Sequence, residues 1–219
     1  MKPRLLFVHG WALDRAVWAK ALAELGAEAD GAEVLDAGYY GRPSAPSTLG
    51  SAPILGVGQS LGVLELLTDP PASLAGLVAI DGFARFVSGP DFPEGQPGAV
   101  LKLMEVALKA TPGALLSEFM AKALPGGWSH FGVPDVEALA RGLERLKTLD
   151  GREAAGRLPV WSLHARFDPI APLAMADASF TGADVRIRQV RETADHLSPI
   201  TAPGACADLI RAALKALDA

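Results

Sequence analysis

The pentapeptide Gly58-Gln59-Ser60-Leu61-Gly62 limits what this chain can fold into more than any other stretch. A continuous apolar run, Pro53-Ile54-Leu55-Gly56-Val57, leads into it. Leu61, Val63, Leu64, Leu66 and Leu67 continue as a helical apolar segment that stops near Asp69-Pro70-Pro71. A buried strand that turns at once into a buried helix leaves the serine between them on a sharp turn with its hydroxyl exposed. The two glycines remove Cβ atoms where strand and helix approach closely, and a strained turn tolerates little else.

Other strands read in the same way. Leu5-Leu6-Phe7-Val8, Glu33 to Ala37, Gly76 to Asp81, Leu158 to Leu163 and Val185 to Val190 are short runs without helical period, most of them continuously apolar. A helical stretch from about Ala16 to Leu25 and an amphipathic C-terminal helix (Leu209, Ile210, Ala213, Leu214, Leu217) alternate with them. Continuous apolar strands alternating with helices predict an α/β protein whose mostly parallel sheet is covered on both faces. The stretch from Gly38 to Gly50 is mostly turn formers, so any helix in that crossover is vestigial.

From Gly82 to about Asp150 the strand pattern stops. Three helical stripes replace it: Val100 to Leu108, Leu115 to Ala123, and Val136 to Leu146. Thr111-Pro112 is expected to cap and start the second, and Pro134 to start the third. The expected organisation is a core of residues 1–82 and 151–219 with a helical lid, 83–150, inserted over the strand ends where sites gather.

Composition excludes several classes. A formal net charge of -5 gives no support for a nucleic-acid surface. Only four apolar residues separate Arg4 from His9, too few for a signal peptide or a membrane span, so no membrane partner is expected. The single cysteine, Cys206, cannot form an intrachain disulfide and reads as a small buried hydrophobe; a reducing, cytoplasmic location is the expectation. The four histidines are scattered singly, so neither a metal nor a cofactor is called for.

A serine hydroxyl needs a base within hydrogen-bond reach and an acid to orient that base. His9 ends the first strand and is expected to stabilise the loop after it; His130 lies in a Gly-rich break; His164 ends a strand as a satisfied, partly buried side chain. His196 follows the last strand in a loop aimed at the carboxyl edge of the sheet, and Asp168 lies just past the preceding strand. Asp195 is a rival acid, although a residue beside the base in sequence usually points elsewhere. The order Ser60, Asp168, His196 is that of the α/β-hydrolase fold, each at the end of a successive strand. For an oxyanion hole, the Leu61 amide after the nucleophile and the Trp11 amide after Gly10 are the expected donors, with Gly10 allowing an unusual backbone conformation.

Over nearly its whole length the chain resembles the α/β-hydrolase superfamily. Within it, Leu6 to Leu13 with Val17-Trp18, then Ser60-Leu61-Gly62, then Gly142 to Asp150, are similar to the pimeloyl-[acyl-carrier protein] methyl ester esterases of biotin synthesis. Members of that family free the pimeloyl chain by hydrolysing its methyl ester. The resemblance implies that Trp11 and Leu61 frame the ester carbonyl, and that Phe119 and Ala123 line the acyl channel. It also implies a small-molecule ester substrate and an acyl carrier protein as partner. Gln59 stands where the family often has tryptophan, which makes it an altered pocket wall. The first strand corresponds to the third of the full fold, so a sheet of about six strands lacking the leading hairpin is expected. Glu118 and Ala114 occupy two positions where the family presents arginines, leaving Lys102, Lys109, Lys122, Arg141 or Arg145 for a carrier contact.

Two other readings share the fold. Carbon-carbon bond hydrolysis of a vinylogous keto acid would want a cationic clamp, for which Arg42 or Arg85 are candidates. A non-catalytic binding scaffold is the alternative from another class.

Overall fold

The computed structural model describes residues 2–44, 50–127 and 132–218; His130 lies outside them. Six parallel strands form one sheet in the order β2-β1-β3-β4-β5-β6. They are β1 Arg4–Val8, β2 Glu33–Leu35, β3 Ile54–Gln59, β4 Leu74–Ile80, β5 Pro159–Ala165 and β6 Asp184–Arg191. The helices are α1 Ala19–Leu25, α2 Leu61–Thr68, α3 Gly98–Ala110, α4 Pro112–Ala123, α5 Val136–Thr148, α6 Arg152–Ala155, α7 Leu173–Ser179, α8 Ser198–Thr201 and α9 Pro203–Leu217.

The apolar runs are strands because both of their faces are buried. Leu5, Phe7, Leu55, Val57, Val78 and Ile80 pack into one cluster with α1 and α9, while the alternate residues Leu6, Val8, Leu77 and Ala79 pack with α2 on the other face. Trp18 is wholly buried and meets Phe7 edge-on at 5.1 Å. The outermost strand β6 alternates exposed and half-buried residues and carries Arg186 and Arg188, the charged pattern that blunts a free sheet edge.

Helix starts differ in detail from the expectations. Residues Arg15–Trp18 form a 3-10 turn before α1, because the Asp14 carboxylate accepts from the Ala16 amide and tightens that first turn. Thr111 precedes α4 but makes no side-chain cap; Pro112 at the first position starts the helix by itself. The cap of α5 is Asp135, whose carboxylate accepts from the Ala138 amide at 2.9 Å, with Pro134 lying one residue outside.

The segment between β4 and β5 carries α3, α4 and α5 across the carboxyl edge of the sheet. Its two ends are pinned side by side: the Gly151 amide donates to the Ala84 carbonyl at 2.7 Å, and Arg85 bridges Asp91 and Asp150. No described helix is long and apolar enough to cross a membrane.

Candidate active site

Ser60 is a one-residue turn between β3 and α2. Its backbone sits at φ 54°, ψ -123°, a conformation that costs a side-chain-bearing residue about 1–3 kcal/mol. The surroundings hold it there. Its amide donates to the Ile80 carbonyl at 3.1 Å. A Cβ on Gly58 would lie 2.6 Å from the Val63 nitrogen, and one on Gly62 would lie 2.1 Å from the Val8 carbonyl oxygen, so only glycines let α2 press onto β3 and β1.

Two loops from the same sheet edge reach the serine. The hydroxyl lies 2.8 Å from Nε2 of His196, whose Nδ1 lies 2.6 Å from Asp168 Oδ2. A carboxylate only accepts, so Nδ1 carries the proton and Nε2 is left to accept from the serine hydroxyl. Asp168 is oriented by its own turn: Oδ1 accepts from the Ile170 and Ala171 amides at 2.8 and 2.9 Å, which leaves Oδ2 for the imidazole. Asp195 faces elsewhere, pairing with Arg191 at 3.2 Å and accepting from the Thr201 hydroxyl. This arrangement can draw the proton from the hydroxyl onto the imidazole and hold the resulting cation against a buried carboxylate.

Burial disfavours a charged imidazole, yet the net shift of His196 is upward. The Asp168 carboxylate at 2.6 Å overrides the lost solvation, with Asp81 and Asp195 adding to it. Asp81 is a second buried carboxyl in this region, at the end of β4. Burial, reinforced by the charge of Asp168, raises its pKa to about 7. It accepts from the amide and hydroxyl of Ser198, at 2.7 and 2.9 Å, and so anchors the start of α8 immediately after His196.

Ser60 opens into a cavity of about 540 Å³ between the sheet edge and α3 to α5. Its walls are mostly apolar: Trp11, Phe86, Leu101, Met104, Leu115 and Phe119 all line it. The Trp11 indole meets Phe119 edge-on at 4.9 Å and donates to the Leu139 carbonyl at 2.9 Å. Leu103 and the Glu118–Lys122 ion pair also line the cavity and are exposed to solvent. Arg85 is committed to Asp91 and Asp150 and does not line the cavity; neither does the exposed Arg42.

No family model matches the chain. It is 27% identical over 208 residues to the pimeloyl-[acyl-carrier protein] methyl ester esterase of Stenotrophomonas maltophilia strain K279a, covering 81% of this chain and 80% of that one. It is 26% identical over 204 residues to the biotin biosynthesis bifunctional protein BioHC of Cellvibrio japonicus, where 81% of this chain spans only 40% of the longer protein. Among solved structures, an esterase from Exiguobacterium antarcticum superposes with a TM-score of 0.79 at 14% identity over 97% of this chain and 92% of that chain. An enol-lactonase from Burkholderia xenovorans superposes with a TM-score of 0.75 at 18% identity, over 98% and 92%.

The chain has the α/β-hydrolase fold.

Within this fold, several expected site residues take other places. Gln59 is wholly buried and does not line the cavity: its side chain bridges Gly10 and His196. Ala123, the last residue of α4, is wholly buried and does not line the channel; its carbonyl accepts from the His196 amide at 2.7 Å. Gly10 needs no unusual torsion. It is glycine because a Cβ there would lie 2.8 Å from the Cβ of Ser60, and the left-handed residue of that loop is Ala12 at φ 57°. The same approach sets the Gly10-Trp11 backbone beside the serine, while Leu61 begins α2, where the first helical amides lack helical partners. Asp81 went unrecognised in the sequence; its one signal there is an acid at the carboxyl end of a buried strand. His9 supports its loop, since Nε2 accepts from the Ala37 amide and Nδ1 donates to the Gly10 carbonyl.

His164 is fully buried at the end of β5. Burial, with the charges of Arg188 and His196, pushes its pKa down to about 4 against the opposing pull of Asp177. The fold therefore holds the neutral ring, whereas the unfolded chain takes up a proton near pH 6.5. That contribution is complete above about pH 6.5 and is lost as pH falls through 4, worth on the order of 3 kcal/mol. His164→Leu is expected to flatten the dependence of urea-unfolding free energy on pH between about 6.5 and 4. Parallel curves for variant and wild type would show that His164 is not the group titrating there.

Proposed function

We propose that this α/β hydrolase is a serine carboxylesterase acting on short or medium acyl esters. Ser60 attacks the ester carbonyl, His196 takes the proton and returns it to the leaving alcohol, and Asp168 holds the imidazole. The Trp11 and Leu61 amides receive the oxyanion, and water then releases the acid. The observation that carries this reading is the continuous chain Ser60 Oγ, His196, Asp168 at 2.8 and 2.6 Å opening into an apolar cavity. Residues 83–150 act as the lid whose helices supply most of that cavity's wall, with Phe119 against the acyl chain. A buried lone cysteine fits a cytoplasmic location.

The preferred substrate is the methyl ester of a pimeloyl chain carried on acyl carrier protein, on the strength of the two sequence relatives named above. An acidic carrier would meet Lys102 and Lys109 on α3. The other candidate cations are engaged: Lys122 pairs with Glu118, and Arg145 with Glu65 at 2.7 Å. Arg141 lines a separate cleft with Glu65. Carbon-carbon bond hydrolysis is less well supported, because no described arginine lines the cavity to clamp a carboxylate.

The test is hydrolysis of a series of methyl and aryl esters by wild type and Ser60→Ala, free and on the carrier protein. The double variant Lys102→Glu/Lys109→Glu is expected to raise KM for the carrier-bound ester by about tenfold while leaving free esters unchanged. Equal effects on both substrates would remove the carrier from the reading and leave a general carboxylesterase.

A further inference from the structure

Gln59 precedes the serine on β3, yet it does not line the cavity and is wholly buried. Its carboxamide is used at both ends. Oε1 accepts from the Gly10 amide at 3.1 Å, and Nε2 donates to the His196 carbonyl at 2.8 Å. One rigid, planar group thus spans two loops far apart in the chain: the loop after β1 that carries Trp11, and the loop after β6 that carries the imidazole.

Other groups hold these loops too, among them His9 on the Gly10 carbonyl and Asp81 on Ser198. The Trp11 indole hangs from Leu139 of α5, and the His196 amide from Ala123 at the end of α4. With Gln59 on its carbonyl, both main-chain polar groups of His196 are committed, one to the helical block and one to the strand that ends at the nucleophile. The fit at Gly10 is close, since a Cβ there would lie 2.5 Å from Gln59 Oε1. The carboxamide offers a donor and an acceptor on one planar end, and asparagine offers the same pair on a shorter stem.

We propose that Gln59 is a positioning residue that sets the distance between the Trp11 oxyanion amide and the His196 base across Ser60. This rests on the esterase reading above and deepens it. It acts through Gly10 and His196 and does not touch substrate. A displacement of about 1 Å between such groups costs on the order of 100-fold in rate, so the staple acts on kcat far more than on binding.

Three variants separate its parts. Gln59→Met keeps the volume and loses both hydrogen bonds; Gln59→Glu keeps an acceptor for Gly10 and loses the donor to His196; Gln59→Asn shortens the reach. Each is compared with wild type per active site, counted by titration with a serine-directed phosphonate, alongside its melting temperature. For Gln59→Met, kcat on a free aryl ester is expected to fall about 10- to 100-fold with KM within about threefold. Affinity for an alkyl boronic acid, which mimics the tetrahedral intermediate, is expected to weaken by a similar factor. Gln59→Glu is expected to lose kcat as well, and Gln59→Asn to fall between.

A kcat for Gln59→Met within threefold of wild type overturns the proposal. So does a loss confined to melting temperature or to the yield of folded protein in all three variants, which would assign Gln59 to stability alone. Ser60→Ala in the same assay keeps the two readings apart: if it retains activity, the esterase reading fails, whereas a dead Ser60→Ala beside an unimpaired Gln59→Met removes only the staple.

Discussion

Ser60→Ala is expected to fold as wild type does and to hydrolyse a free aryl ester at least about 10⁴-fold more slowly. Alanine adopts the turn at φ 54° no more easily than serine does, so melting should change little while the proposed nucleophile is gone. Asp168→Asn should cost about as much through a different route. An amide in place of the carboxylate no longer requires a proton on Nδ1, and the imidazole loses the charge that stabilises its cationic form. The pH profile distinguishes the two losses. The proposed mechanism needs neutral His196, whose pKa is raised, so the acid limb of wild-type kcat/KM should lie above the ordinary histidine value of about 6.5. In the residual activity of Asp168→Asn, burial acts with less opposition and the limb should move to lower pH. An Asp168→Asn enzyme with wild-type kcat would remove Asp168 from the mechanism.

Whether such a site is legible before a structure depends on which atoms build it. The loops carrying Ser60, Asp168 and His196 could be placed because each follows a short run with no helical period, mostly apolar before Ser60 and Asp168 and alternating before His196, and a parallel sheet gathers the ends of such runs at one edge. The three stripes that became α3, α4 and α5 were legible from their apolar spacing, since each buries a single face. What stayed hidden depends on main-chain atoms. Nothing in the identity of Ala123 announces that its carbonyl holds the His196 amide, because every residue has a carbonyl. The resemblance implies a pocket wall at Gln59, where the family often has tryptophan. The partners of Gln59 are a main-chain amide and a main-chain carbonyl from two other strands' loops, which local pattern does not record. Asp81 illustrates the same limit: an acid ending a strand reads as solvent-facing until Ser198 and α8 close over it.

The elbow's tolerance can be measured by adding a single methyl group. Gly62→Ala should lower unfolding free energy by about 3 kcal/mol or more, and with it the melting temperature by roughly 6–12 °C for a domain of this size. The added carbon would lie 2.1 Å from the Val8 carbonyl oxygen, 2.6 Å from the Val8 carbonyl carbon and 2.9 Å from the His9 oxygen, all of them backbone. Neither side can retreat cheaply. β1 is paired on both edges, to β2 and to β3, so shifting Val8 breaks its alignment with Leu35 and Gly58. α2 is held by Leu61, Val63 and Leu64, each fully buried. Gly113 in α4 provides the contrast, for a Cβ there meets nothing within 4 Å. Gly113→Ala should leave stability unchanged or raise it by up to about 1 kcal/mol by narrowing the unfolded ensemble. Because the contact at Gly62 falls on the strand that leads into Gly10 and Trp11, the surviving folded fraction of Gly62→Ala should also lose kcat, whereas Gly113→Ala should not. If Gly62→Ala melts within about 2 °C of wild type, then α2 and β1 yield more freely than their pairing and burial require, and the strain at Ser60 is not held by that contact.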